Sequence, residues 1–312
     1  MNGLAVCAGI GGLEFGLSRA IRGYRCVCFV EKDEVATQIL RGRQQAGELD
    51  DAPVWDDLAT FDGGRWRGAD LISAGFPCQP FSTASRGRRT AADLWPQVLR
   101  VILEVGPRVV FLENVQRKPI ERAANDLWRT AGYRCFAGHL DAAALGAPAR
   151  RVRWWLFAHL DDAEQPALAL NAEVAGVSAA RQADEWARRP DSILGMDARV
   201  PHRVDRLRCL GNAVVPAQAE LAFRVLAEKS GADRPDGGVE RELAQKSNEW
   251  CDVGGAMTDE ELDALVAEKV REATRAACIK AIAEYSGVEG AAPELFIRVL
   301  QSLDLSGVGE GE

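Results

Sequence analysis

The sequence predicts an α/β protein with a doubly wound, Rossmann-like sheet, and three observations predict it. Short apolar runs alternate with amphipathic stretches over the first half of the chain. The first run ends in a glycine turn, GIGG, that opens directly into a helical pattern. Glycines, acids and one thiol fall at the ends of successive runs, where open α/β sheets bind their ligands.

In chain order, GLAVCA (3–8) reads as a strand and LEFGLSRAI, with helical apolar spacing, as the helix after the turn. CVCFVEKD is a second strand closing on an acid, and VATQILRGRQQ a second helix. ADLISAGF (69–76) is a third strand, LWPQVLRVILEV (94–105) a helix and RVVFLENV (108–115) a fourth strand. ERAANDLWRTAGY is helical, and RVRWWLFAHL is a later strand. The alternation predicts a parallel sheet. From about 160 to 204 the periodicity dissolves into Ala-, Arg- and Asp-rich sequence, and RLRCLGNAVVPAQAELAFRVLAE then resumes as a turn and an apolar helix. KSGADRPDGGVE reads as a linker. Thr258 to Tyr285 reads as an amphipathic helix opened by the capping box of Thr258 and Glu261.

The 312 residues are 47% apolar and 27% charged, as in an ordinary globular protein with ample core. No run approaches the ~18 apolar residues of a membrane span, and the start lacks the basic region of a signal peptide. Eight cysteines without paired CxxC spacing and three histidines argue against a zinc site and for free thiols in a reducing cytoplasm. The net charge of −8 is uneven. Residues 231–312 hold eight basic and eighteen acidic residues, leaving 30 and 28 elsewhere, a balance of +2. Arginines gather at 86–89, 150–153 and 181–208, a pattern that suits phosphate contacts as well as a solvated surface.

The strand-end residues define the candidate chemistry. A glycine turn lets a ligand approach backbone N–H groups, and Glu31 at the end of the second strand is placed for ribose hydroxyls. Together they point to an adenosine-containing cofactor. A dehydrogenase is the competing reading, but the full GxGxxG spacing is absent. Cys78, in SAGFPCQPFS, is either a buried apolar filler or a nucleophile held stiffly between two prolines. Paired with Glu113, a thiolate can add to an electron-poor ring carbon while the carboxyl protonates a ring nitrogen. A basic neighbour such as Arg151 or Arg153 would favour the thiolate.

These motifs together resemble the cytosine-C5 DNA methyltransferases over about residues 1–228, in the family's order. AVCAGIGG resembles the cofactor motif, GFPCQPFS the catalytic loop, FLENV the Glu-Asn-Val motif, GAPARRVRWW the arginine motif and GNAVVP the closing segment. The resemblance implies a Rossmann-like methyltransferase sheet, S-adenosyl-L-methionine as methyl donor with S-adenosyl-L-homocysteine as product, and no metal. It implies Cys78, Glu113, Arg151 and Arg153 as catalytic residues. Cys7, Ala8, Gly9, Gly11, Gly12, Glu31, Asp57, Pro77, Leu94, Asn212 and Val214 would form the cofactor site. Gln79, Ser82, Arg86, Arg88 and Arg89 would contact DNA from a loop over about 79–93. Cys7 stands where phenylalanine is usual, Ala149 where glutamine is usual, and Ser85 where glycine is common.

The expected organisation is a catalytic and cofactor-binding domain (1–159), a small target-recognition region (160–204), a returning segment (205–228), and a linker with an acidic helical tail (229–312). Double-stranded DNA is the expected partner, in the cytoplasm of a bacterium or virus-infected cell, without a membrane. A monomer is expected, with self-association through the C-terminal helix as the alternative, and any restriction endonuclease would be a separate chain. A transfer-RNA methyltransferase and an inactive DNA-binding relative are the rival readings. The first would carry a Cys-Phe-Thr signature, and 160–204 contains no cysteine. Intact Cys78 and Glu113 argue against the second.

Overall fold

The computed structural model describes residues 1–77, 93–145, 147, 150–160, 168–171, 209 and 211–233. Seven strands form one sheet: β1 (Asn2–Val6), β2 (Arg25–Val30), β3 (Val54–Trp55), β4 (Leu71–Gly75), β5 (Val109–Asn114), β6 (Arg134–Asp141) and β7 (Val152–His159). Their order is β3-β2-β1-β4-β5-β7-β6. The helices are α1 (Gly12–Ala20), α2 (Glu34–Gln45), α3 (Trp95–Val105), α4 (Arg117–Ala131) and α5 (Pro216–Ser230).

Local chemistry starts these helices where the sequence says it should. Asp33 caps α2 by accepting from the N–H groups of Val35 and Ala36, both at 3.0 Å. Proline opens α3 and α5, where its missing N–H is no loss. The apolar stripes of α1 and α5 cover one face of the sheet, with Leu17 and Phe223 in the same core as Phe111 and Phe157. The stripes of α3 and α4 cover the other, with Val98, Ile102 and Leu127 against Ile72, Val110 and Leu112. Buried from both sides, β5 exposes none of its residues, as expected for a central strand. Each fully buried leucine or phenylalanine here contributes roughly 1.5–3 kcal/mol.

Two features depart from the expected parallel alternation. β6 is an edge strand of the sheet that the strand–helix pattern did not assign, although Phe136, Gly138 and Leu140 alternate inward along it. β7 then runs antiparallel to both β5 and β6. Only the short turn at Ala142–Leu145 and a few further residues separate β6 from β7, too little chain for a parallel crossover. The expected recognition region begins with a piece of the core: Leu170 bridges Ile21, and the Asn171 N–H donates to the Ala20 carbonyl at 2.9 Å. The remainder of that region and the acidic tail lie outside the described residues.

Helices α1 and α5 approach closely at Gly16. A Cβ on Gly16 would lie 2.6 Å from the Pro216 carbonyl oxygen and 2.7 Å from the Ala219 Cβ. Gly16→Ala should therefore push the helices apart. Even after the helix-propensity gain it should cost ~1–2 kcal/mol, seen as a lower denaturant midpoint. An unchanged midpoint would contradict the close packing.

Candidate active site

The carboxyl ends of β1, β2, β4 and β5 stand level with one another. Val6 pairs with Val30 on one side and Ala74 on the other, and Gly75 pairs with Glu113. The residues that follow these positions therefore gather at one end of the sheet, where an open α/β sheet has its ligand crevice.

On the left of the crevice, the turn after β1 bends through three left-handed residues, Cys7 (φ 52°), Gly9 (φ 56°) and Gly11 (φ 77°). A Cβ on Gly9 would meet nothing within 4 Å, so the turn exposes its backbone to an incoming ligand. The Glu31 carboxylate accepts from the Gly9 N–H and from the Asp33 N–H, each at 2.7 Å. It is thus held at the rim of the turn, where the sequence predicts a ribose-binding acid. Asp57 lies beside it, its carboxylate held below its ordinary range by the Ala59 N–H and by Lys32, whose Nζ is 3.0 Å away. Ala8 is buried and Cys7 half-buried. Burial, with Glu31 nearby, pushes the Cys7 thiol up to about 12, so it stays neutral. Gly12 has a packing role as well: its Cβ would fall 2.4 Å from the Val214 carbonyl oxygen. Val214 is half-buried there, and Asn212 is exposed.

Acidic groups and open backbone at a helix start fit a nucleoside cofactor bearing a positive centre. They do not fit a pyrophosphate, which wants neutral or basic surroundings. Glu14, in the first turn of α1, adds to this. It is buried, takes a hydrogen bond from Ser73 Oγ at 2.9 Å and is pushed by burial up to about 7. Its neighbour pattern is apolar and periodic, so nothing in the sequence singled it out.

On the right of the crevice, Glu113 is buried at the end of β5 and its Oε1 contacts Arg153 Nε at 2.8 Å. A Cβ on Gly75 would stand 3.5 Å from Glu113 Oε2, which directs the second carboxylate oxygen toward the β4 end. Burial pushes this carboxyl up to about 7, outweighing Arg153 and Arg151, which both pull it down. Both protonation states are therefore populated near neutral pH, the property a general acid needs.

Cys78, Gln79, Ser82, Arg86, Arg88 and Arg89 lie outside the described residues. The flanks of their segment are anchored to each other. Phe76 packs against Trp95 with ring centroids 5.3 Å apart, and Pro77 beyond it is exposed. Trp95 donates its indole N–H to Asp126 at 2.8 Å, and Arg122 holds Asp93 at 2.6 Å. Leu94 sits half-buried between them. Asn114, beside Glu113, donates from Nδ2 to the Phe76 carbonyl at 2.9 Å. That bond ties Phe76, just past the end of β4, to the strand carrying Glu113, a role invisible in the sequence because 38 residues separate the partners.

The three arginines of 150–153 divide sharply. Arg150 is 85% exposed and pairs with Asp141 at 3.0 Å. Arg153 turns inward to Glu113. Arg151 donates from Nη2 to the carbonyls of Gly211 at 2.8 Å and Ala213 at 2.5 Å. Three further thiols are poor nucleophiles: burial pushes Cys28 up to about 11 and Cys135 up to about 12, with Cys26 well above its ordinary value. Among the described residues no cluster of side chains suits a metal ion, and no helix is long and apolar enough to cross a membrane.

Comparison with known proteins places the sequence beside one family. Residues 1–185 match the family model described as C-5 cytosine-specific DNA methylase. The Type II methyltransferase M.NgoMIV of Neisseria gonorrhoeae is 36% identical over 119 residues, 36% of this chain and 35% of that protein. M.NlaX of Neisseria lactamica is 32% identical over 167 residues, covering 49% and 50%. The Type II methyltransferase M.CviJI of Paramecium bursaria Chlorella virus IL3A is 30% identical over 234 residues, covering 70% and 58%. The chain thus spans between about a third and three fifths of the length of these relatives.

Proposed function

The chain belongs to the C-5 cytosine-specific DNA methylase family, and from that premise we propose that it methylates C5 of cytosine in double-stranded DNA. The observation that carries the proposal is the buried Glu113–Arg153 pair at the β5 end, beside the end of β4, the strand that leads in sequence to Cys78.

The target base must leave the duplex, because its C6 cannot be reached within the stack, at a cost of a few kcal/mol. The Cys78 thiolate then forms a bond to C6 while Glu113 delivers a proton to N3, so that the electron pair collects at C5 rather than on nitrogen. Arg153 holds the Glu113 carboxylate in place and stands ready for the cytosine carbonyl. Bound S-adenosyl-L-methionine supplies the electrophilic methyl group that C5 takes up. Loss of the C5 proton to a base and return of the N3 proton to Glu113 then restore the double bond and expel Cys78 as thiolate. The glycine turn with Ala8, Glu31 and Asp57 would hold the nucleoside part of the cofactor, and Pro77, Leu94, Asn212 and Val214 would close round it. Gln79, Ser82, Arg86, Arg88 and Arg89 would contact the DNA. We place target choice in 160–204 and assign the action to the cytoplasm, with any endonuclease on a separate chain.

The test is methyl transfer from labelled S-adenosyl-L-methionine to DNA and to transfer RNA, with duplex DNA containing 5-fluorocytosine as a trap. Fluorine replaces the proton that must leave, so the enzyme should remain covalently attached. Label in DNA and a stable adduct are expected. Label in transfer RNA alone, or no adduct, overturns the proposal.

A further inference from the structure

We infer that Arg151 is a positioning residue that closes the cofactor pocket by clasping residues 211–213 to the start of β7, rather than a residue that contacts DNA or the flipped base. The inference rests on the reading of the crevice as a cofactor site.

The clasp is visible from both ends. On the side-chain end, one guanidinium nitrogen, Nη2, serves the carbonyls of Gly211 and Ala213. Both of its protons are used, and Arg151 Nε is buried with no partner among the described residues. On the main-chain end, the Arg151 N–H donates to Asp141 Oδ1 at 2.7 Å. Its carbonyl accepts from Gln218 Nε2 at 2.9 Å and from the Ala142 N–H at 3.2 Å. Gln218 is fully buried and spends the same amide on the Leu140 carbonyl at 2.5 Å. Residue 151 is therefore fixed to the β6–β7 turn and to α5 before its side chain reaches out.

The segment it grips forms the next link. Val214 follows immediately, and its carbonyl oxygen occupies the space where Gly12 would carry a Cβ. A continuous series of contacts thus runs from β7 through Arg151 to 211–214 and on to the glycine turn at the head of α1. A cation pointed at phosphate would look like Arg150, which is exposed and pairs with the Asp141 carboxylate. Arg151 donates to neutral backbone carbonyls instead, those of Gly211 and Ala213 ahead of α5. A planar, forked donor suits two such oxygens, and a lysine ammonium cannot reproduce it.

The decisive experiment uses Arg151→Lys and Arg151→Met in the full chain. S-adenosyl-L-homocysteine binding is measured by calorimetry, and binding to sheared duplex DNA is measured across salt concentrations. If Arg151 is a clasp, the homocysteine product binds about tenfold more weakly in both variants. Lysine then gives no rescue, the salt slope of DNA binding stays at the wild-type value, and the cofactor KM rises while kcat at saturating cofactor changes little. Product affinity within twofold of wild type in Arg151→Lys overturns the clasp. So does a DNA salt slope that falls by about 0.9 in Arg151→Met and recovers in Arg151→Lys, the behaviour of a phosphate contact. Wild-type protein that binds no product would instead defeat the cofactor reading itself, which separates the two failures.

Discussion

Cys78→Ser should abolish methyl transfer, lowering the rate by about 10³-fold or more, and should eliminate the covalent adduct on 5-fluorocytosine DNA. A thiol near pH 7 is a few per cent thiolate, whereas a serine hydroxyl is not measurably ionised and needs a strong base beside it. Glu113 cannot be that base, since it is held by Arg153 and required as an acid. Product binding should be unaffected, because the glycine turn, Glu31 and Asp57 are independent of the thiol. Retention of a tenth of wild-type activity in Cys78→Ser would mean that another group attacks the ring. The described alternatives are poor ones: Cys7 and Cys135 are pushed up to about 12 by burial and remain protonated.

Glu113→Gln should lower kcat by about 10²–10⁴-fold, the range for loss of a general acid, and should also change the pH profile. The Glu113 carboxyl is pushed up to about 7 by burial. Its protonated form is the useful one, so that as pH rises above 7 the acid is lost about tenfold per unit. The Cys78 thiolate is gained in the opposite direction, as pH rises. Wild-type activity should therefore trace a bell, with the alkaline limb belonging to Glu113. The glutamine variant keeps a hydrogen-bond donor but has no proton to lose, so its weak residual activity should rise with pH and lack the alkaline limb. An alkaline limb that persists in Glu113→Gln would assign it to another group.

Much of the site was legible from residue order alone because its chemistry depends on residue types at strand ends. An apolar run followed by GIGG can hardly be anything but a strand and a turn, and the acid that closes the second strand, Glu31, does reach the Gly9 N–H. Glu113 was recognisable for the same reason, at the end of a run whose every residue is buried. The partners of these groups were less legible. Arg153 pairs with Glu113 because β7 enters the sheet antiparallel beside β5, setting Arg153 near its carboxylate. Nothing in a strand's own sequence states its direction.

The amino-acid sequence by itself determined which elements form and which groups are available for reaction, because periodicity, turn chemistry and residue type act over a few neighbouring residues. Only the tertiary structure decided how three adjacent arginine-motif residues divide their work, with Arg150 outward, Arg151 on the 211–213 carbonyls and Arg153 on Glu113. It also decided that Gly12 and Gly16 must be small, since Val214 and Pro216 arrive against them from about 200 residues further along the chain. The physical reason is the same in each case. Contacts between distant segments are set by how layers pack and which way a strand runs, and the local pattern of the chain holds no record of either.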